Sequence, residues 1–407
     1  MKKILLSIIL STSFYLSCLA QLQVKCGNSN IPNSNFRNNN VAKGDILIID
    51  SVKNSFIQNP QKLAEATNAT YIIPVVFHVF ANNAQALVPV NQCQSGLDKI
   101  NEDFNAWNAD LNTIDPEFAP LASSLKINFV LAQKDINGNP TTGVNYHPVD
   151  SGFGSYQVMD NIITQYAWDN YKYMNIYIML DLFGDGVNNN SGIAYPPNTW
   201  NSDNKVDRIV YNYWYLGNTG SSIADGEFQS VLTHEYGHWL GLGHTFGGNC
   251  NDADGIADTP PSDVAGGGCG PNANHCGGNI NGENYMDYNA SCYKMYTQGQ
   301  ITAMIAALQH PTRFPLWQQS NLIAAGLGQY VGIKKNIDKQ EIKCVVNDNI
   351  LYTDAEKFFI YDLLGNIVVQ QSSCHSYSLS SIASGVYIVS LEKEGQQQFK
   401  KITVLKQ

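Results

Sequence analysis

His234 to His244 reads HEYGHWLGLGH, three histidines and a glutamate inside eleven residues. On a helix, His234 and His238 lie at i and i+4, on one face and one turn apart. That spacing lets both imidazoles reach a single zinc ion at about 2.0–2.1 Å. Glu235 sits on the adjacent edge, where it can touch water at the metal without being a ligand. Gly241 and Gly243 permit a sharp exit from the helix, because glycine takes positive φ without steric penalty. The bend can return His244 as a third ligand. Three protein ligands leave one position open, the mark of a catalytic rather than a structural zinc. A bare His-Glu-x-x-His pair arises by chance, and helical histidines are often ordinary core residues. The extended form, with Gly241 and His244 at fixed offsets, is far rarer and predicts a metal centre.

The bulk numbers bound what can surround such a centre. A length of 407 residues suits two or three domains. With 44% hydrophobic and 14% charged residues, the chain can bury a sizeable core. A formal net charge of −10 and the lack of any long basic run argue against nucleic acid as a partner. Beyond the N-terminus no stretch of about 18 apolar residues occurs, so no membrane span is expected in the mature protein.

Residues 1–20, MKKILLSIILSTSFYLSCLA, read as a signal peptide: Lys2 and Lys3, an apolar run from Ile4 to Leu10, and a cleavage site ending at Ala20. Export gives the nine cysteines meaning. Cys18 leaves with the signal peptide. Cys250, Cys269, Cys276 and Cys292 crowd together as expected of local disulfides, for which three connectivities are open. Cys26 stands alone near the mature N-terminus.

Residues 21–66 are rich in Asn and Ser and short of apolar periodicity, which reads as a flexible or weakly held extension. YIIPVVFHVF (71–80), KINFVLAQKD (126–135) and YMNIYIMLDL (173–182) read as strands. Leu97, Ile100, Phe104 and Trp107 recur at helical spacing, and a second helical stretch covers 156–171. Alternating strands and helices predict an α+β core. Residues 247–289 are Gly-, Asn- and Asp-rich, a long loop region of the kind that is functional or stapled. TQGQITAMIAALQHP (297–311) supplies a closing helix. After residue 319 the pattern changes to short strands separated by turns such as Gly365-Asn366 and Glu394-Gly395, a small all-β module.

NYMDY (284–288) places Met286 and Tyr288 about forty residues beyond the zinc motif. Metzincin peptidases follow such a motif with a methionine turn flooring the metal. Met286 is also a natural core residue, and Tyr288 is a candidate hydrogen-bond donor to an oxyanion. Taken with LTHEYGHWLGLGHTFGGNC, ADTP, YTQGQ, IIPVVFHVF and GIAYPP, these segments resemble the pappalysin family of metzincins over about residues 71–318. The resemblance implies a mixed-sheet upper subdomain, an irregular lower one stapled by Cys250–Cys276 and Cys269–Cys292, and a cleft between them. It also implies a secreted zinc endopeptidase, with His234, His238 and His244 on the metal, Glu235 as general base and Tyr288 at the oxyanion. Peptide bonds of extracellular proteins would be its substrates.

Asp252, Asp254 and Asp258 offer hard oxygen ligands suited to the calcium that the family holds nearby; a solvated acidic loop is the other reading. Ser291 stands before Cys292, where members preferring basic residues carry an acid, so that preference is not implied. Cys26, in VKCGN, is similar to a family propeptide switch in which a thiolate fills the open zinc position; pairing with Cys93 or an unpaired thiol are the alternatives. The C-terminal segment resembles the type A sorting domain of type IX secretion cargo, which makes that secretion machinery an expected partner. The expected order is signal peptide 1–20, propeptide 21–66, peptidase domain 67–318, linker 319–335 and a β-sandwich sorting domain 336–407. A non-catalytic secreted binding protein on the same scaffold is the competing reading, and intact Glu235 and three histidines argue against it.

Overall fold

A computed structural model describes residues 40–148, 160–183, 186, 192–224, 228–247, 250–251, 254–270, 274–330, 342–347, 349–362, 366–372, 375–393 and 396–405. Cys26, Asp252 and the signal peptide lie outside the described residues. The chain divides into two units between residues 333 and 334.

In the larger unit, α1 (Asn40–Gln58) and α2 (Pro60–Asn68) precede a sheet built on β1 (Tyr71–Phe80). All ten residues of β1 are buried, which is why its sequence is a continuous apolar run rather than an alternating one. β2 (Ile127–Leu131) pairs in parallel with its first half and β3 (Val144–His147) with its second. On the other side of β1 the order is β4 (Met174–Met179), β6 (Ile209–Asn212) and, at the end, β5 (Gly192–Ala194). β4 and β6 continue the parallel arrangement, whereas β5 runs antiparallel to β6. This is the mixed sheet expected from the sequence.

Alternate residues of β1 serve different faces, as strand geometry requires. Ile73, Val75, Phe77 and Val79 enter the main core with α3 (Val90–Phe104) and α6 (Val231–Trp239). Ile72 and Val76 pack instead with Trp168, Tyr173, Leu322 and Leu327. Phe80 joins Ile163 of α4 (Asp160–Tyr166), Tyr177 and Met179. Trp107, counted at sequence level among the apolar positions of α3, is 62% exposed. The helix stops at Phe104, and Ala106 takes a φ of 55°, which turns the chain away from the core.

Two segments are more ordered than their composition suggests. Residues 40–68, expected to be loosely held, form helices whose inner face carries Asp45, Ile49, Val52 and Phe56. These follow at i, i+4, i+7 and i+11, a helical stripe concealed because its first member is a carboxylate and its exposed neighbours are Ile46 and Leu47. Residues 319–330, expected as linker, contain α8 (Gln319–Ala324), which closes the sheet's outer face through Leu322 and Ala325. Before it, α5 (Thr199–Asp203) follows β5, and α7 (Gln298–Leu308) starts with a capping box of Thr297 and Gln300.

The smaller unit is all-β. One sheet has β7 (Cys344–Asn347), β8 (Ile350–Thr353) and β11 (Ser376–Ser378); the other orders β10 (Ile367–Ser372), β9 (Lys357–Tyr361), β12 (Gly385–Lys393) and β13 (Gln396–Val404). Leu351 of the first and Phe358, Ile360, Val389 and Leu391 of the second share one core.

His78, on β1, is fully buried between His147 at 3.1 Å and Asn175 at 3.1 Å. Burial holds its pKa down to about 3 and that of His147 to about 4. Both stay neutral in the fold while an unfolded histidine takes a proton near pH 6.5. Stability contributed by their neutral state is therefore present above about pH 6.5 and drains as pH falls toward 4. Denaturant unfolding at pH 7, 5.5 and 4.5 should show a shallower pH slope in His147→Gln than in the native chain; equal slopes would remove the pair from the acid response.

Candidate metal centre

α6 spans Val231–Trp239, and all nine residues are buried. Its exit is a Schellman turn: Leu242 N–H bonds the Gly237 carbonyl at 3.0 Å, and Gly241 N–H the His238 carbonyl at 2.8 Å. Gly241 supplies the left-handed residue with a φ of 88°. Gly243 does not take positive φ, so the exit expected of two glycines is made by one.

The turn brings the three histidines together. His234 and His238 Nε2 lie 3.1 Å apart, and His238 and His244 Nε2 3.0 Å. Nδ1 of His234 faces the Tyr285 carbonyl at 2.6 Å, and Nδ1 of His238 the Leu242 carbonyl at 2.8 Å. A carbonyl only accepts, so both Nδ1 atoms carry the proton and both Nε2 atoms present lone pairs. Burial holds His238 at about pKa 4, and holds His234 and His244 well below the ordinary value. Neutral imidazoles with lone pairs pointed at one another repel unless a cation lies between them. Two nitrogens bound tetrahedrally at about 2.0–2.1 Å would stand about 3.3 Å apart, close to what is seen. The donor set fits a zinc ion, and its carbonyl-anchored histidines are the usual outer support of one.

Gly192 of β5 shapes the space beside Glu235. A Cβ there would stand 2.8 Å from Glu235 Cγ and 2.7 Å from the Tyr211 ring, so the edge strand approaches the carboxylate only because residue 192 is glycine. Tyr288 packs its ring edge-on to His244, with centroids 4.8 Å apart, and 4.7 Å from Phe246.

Met286 is fully buried, and its sulfur lies under the helix: a Cβ on Gly237 would meet it at 2.4 Å. Its loop is held by Asn284, whose side chain exchanges two hydrogen bonds with Gln300 and accepts one from Met286 N–H. Asp287 ties this loop to its neighbours, accepting from Thr245 Oγ1, Gly266 N–H and Asn289 Nδ2. Burial raises its pKa to about 6.

Cys250–Cys276 and Cys269–Cys292 are both formed, the pairing that the family resemblance implied. Each closes a loop of some two dozen residues, for which chain entropy gives about 3 kcal/mol. His275 pairs with Asp263 at 3.1 Å rather than with the metal site.

Of the expected calcium ligands, Asp252 lies outside the described residues. Both Asp258 oxygens are committed, to Thr297 Oγ1 and Gly299 N–H at the start of α7. Asp254 accepts from Ile256 N–H and Thr259 Oγ1, and its Oδ2 is buried without a hydrogen bond.

Three supports of α6 were assigned no role from the sequence. Asp103 of α3 accepts from Thr233 Oγ1 at 2.6 Å, next to the first ligand. Tyr296 donates to the Thr233 carbonyl at 2.7 Å. Arg313, fully buried, reaches the Trp239 carbonyl at 3.3 Å, lies over the Trp239 ring at 4.0 Å and forms an ion pair with Asp207. Tyr296 opens the YTQGQ segment of the family resemblance and Arg313 follows the closing helix as a lone cation, whereas nothing local marks Asp103.

Gly237 costs the isolated helix about 1 kcal/mol relative to alanine. Gly237→Ala should nevertheless destabilise the protein by about 1–3 kcal/mol, because the added methyl overlaps Met286. A denaturant midpoint raised by this substitution would mean that the methionine loop can move aside freely.

Two family models match the chain. One described as "Pregnancy-associated plasma protein-A" covers residues 157–309, and a "Secretion system C-terminal sorting domain" covers 336–405. An extracellular metalloprotease of Colletotrichum graminicola is 30% identical over 269 residues, 61% of this chain and 84% of the fungal protein. One from Sordaria macrospora is 37% identical over 147 residues, 33% of this chain and 47% of that protein. The chain thus spans about half the length of the first curated relatives it matches. Mature mirolysin of Tannerella forsythia, solved with a cleaved peptide, is 32% identical with a TM-score of 0.54, covering 63% of this chain and 98% of that one. A promirolysin mutant from the same organism is 29% identical with a TM-score of 0.55, over 67% and 92%. The α+β metzincin-like architecture is the one these structures share, and the sorting domain makes the chain a secreted protein. The chain belongs to the pappalysin family of metallopeptidases and ends in a sorting domain of type IX secretion.

Proposed function

We propose that the chain is a zinc endopeptidase, made in latent form, that hydrolyses peptide bonds in extracellular proteins. The observation that carries this reading is the convergence of three imidazoles, with the lone pairs of His234 and His238 turned inward, on a helix and its exit turn where Glu235 follows the first of them. His234, His238 and His244 would hold the zinc. When bound, zinc polarises the scissile carbonyl and makes water more acidic.

Glu235 takes a proton from the attacking water as its oxygen bonds to the carbonyl carbon. It then returns that proton to the amide nitrogen as the carbon–nitrogen bond breaks, leaving an amine and a carboxylic acid, whose own proton passes to the amine or to water. Tyr288, beside His244, donates a hydrogen bond to the oxyanion that develops in between. β5 ends the sheet next to Glu235, and an extended peptide added to it would bring its backbone past the carboxylate. No step is assigned to calcium.

Latency is assigned to Cys26, whose thiolate would occupy the open ligand position. Cys93, the alternative partner, sits fully buried among core residues of α3, where burial pushes its thiol well up. Pairing with it would require opening the core.

Glu235→Ala should keep about one zinc per chain, measured by atomic absorption, and lose at least about a hundredfold in peptide hydrolysis. Chelation should abolish hydrolysis in the native chain, and added zinc should restore it. Undiminished turnover by the variant would end the proposed role of Glu235.

Delivery outside the cell is assigned to the smaller unit acting as the address read by the type IX machinery. Removing residues 336–407 should leave the metal centre intact, since none of its residues lies beyond 313, while the truncated chain stays inside the cell envelope. Normal surface delivery of that truncation would refute the assignment.

A further inference from the structure

α1 meets the larger unit with a charge foremost. Asp45 is 4% exposed while its neighbours Ile46 and Leu47 are 44% and 68% exposed. Its carboxylate accepts three hydrogen bonds: from Thr199 N–H at 2.9 Å, from Thr199 Oγ1 at 2.5 Å and from His310 Nε2 at 3.1 Å. His310 is fully buried, and its Nδ1 accepts from Thr312 Oγ1 at 2.9 Å and Thr312 N–H at 3.3 Å. Nε2 is therefore the nitrogen that carries the proton toward Asp45.

Around this contact, Phe56 is 2% exposed, and Ile49, Val52, Leu63 and Ala66 pack on the core. α1 lies against α5 and α7, and α2 against α7. The link to β1 is short and open: Asn68 and Thr70 are exposed.

Buried apolar area holds the segment, but area alone leaves its register loose. Sliding α1 by one turn, about 5.4 Å, would put Ile49 or Val41 where Asp45 stands. Three buried donors would then lack an acceptor, which apolar contacts do not offset. Asp45 thus selects one docking position among several of similar apolar content.

We propose that the face carrying His310 and Thr199 is a receptor for the chain's own residues 40–68, which stay bound as a separate peptide after a cut between α2 and β1. This rests on the reading of the chain as a latent peptidase. A cut in that link then fails to free whatever precedes residue 40, and release needs a second event that destroys the segment or displaces it.

The test uses the full chain carrying Glu235→Ala, so that it cannot digest itself, with a site for an external sequence-specific protease inserted between Asn68 and Tyr71. After cutting, the N-terminal fragment should co-elute with the body in gel filtration. Asp45→Ala in the same chain should let the fragment separate. Synthetic 40–68 peptides titrated onto one preparation of cut and stripped body should bind at least about thirtyfold more weakly when they carry Asp45→Ala, the ratio that about 2 kcal/mol gives. Because that body is identical in both titrations, a folding defect cannot mimic the loss. His310→Gln, which keeps a donor, should retain more affinity than His310→Ala. Prompt separation of the native fragment, or equal binding of the Asp45→Ala peptide, overturns the proposal. Neither readout involves catalysis, so loss of the peptidase reading would leave the binding result standing.

Discussion

Nε2 lone pairs of His234 and His238 face each other at 3.1 Å because two backbone carbonyls hold the opposite nitrogens. Two loops of the larger unit supply those carbonyls. The Tyr285 carbonyl comes from the methionine loop, and the Leu242 carbonyl from the turn that ends α6. A shift of either loop would release a ring to rotate and put its proton where a metal should be. The site therefore depends on loop positions as much as on the helix bearing the ligands, and the polar side chains around it act mainly on those loops.

The supports divide by position along α6. At its start, Asp103 and Tyr296 hold Thr233 through its hydroxyl and its carbonyl. In the middle, Gly237 lets Met286 approach, so a residue unfavourable to the helix is favourable to the site. At its end, Arg313 satisfies the Trp239 carbonyl, which the Schellman turn leaves without a partner. Arg313 brings a charge into the core, and Asp207 answers it, itself receiving Ser202 Oγ. Such buried pairs contribute little net stability compared with apolar packing. What they contribute here is direction, because a guanidinium fork fixes helix end, aromatic ring and loop at one point.

The metal centre was legible because its ligands sit within eleven residues and their spacing follows the helix period. β1 and β4 were legible because strands buried on both faces are dense in apolar residues, and β2 because it is rich in β-branched and aromatic ones. What escaped reading depends on partners far apart in sequence. Asp45 meets residues 154 and 265 positions away, so nothing local marks it as an inward residue. Asp258 accepts from Thr297 and Gly299 at the start of α7, about forty residues further on, and nothing in its own acidic segment marks that contact. Trp107 was misplaced for the opposite reason: its spacing continued the stripe of α3, but the helix had already ended.

Asp45 also bears on whether the metal scaffold can stand without its N-terminal helices. A chain of hydrogen bonds runs from Asp45 through His310 and Thr312 to Arg313 and the Trp239 carbonyl. Removing α1 breaks only the first of these. His310 Nε2 and Thr199 would turn to water, which replaces an acceptor at small net cost at a surface. Arg313 keeps Asp207, Thr312 and Trp239, all of which follow residue 200. The carbonyl anchors of His234 and His238, the methionine loop and both disulfides likewise lie after β1. Losing Phe56 takes one side chain from a core whose other members come chiefly from the sheet and from α3, α6 and α7. The N-terminal helices are thus built to bind the peptidase unit specifically while contributing no residue to the metal centre, the physical condition for a segment that can be shed.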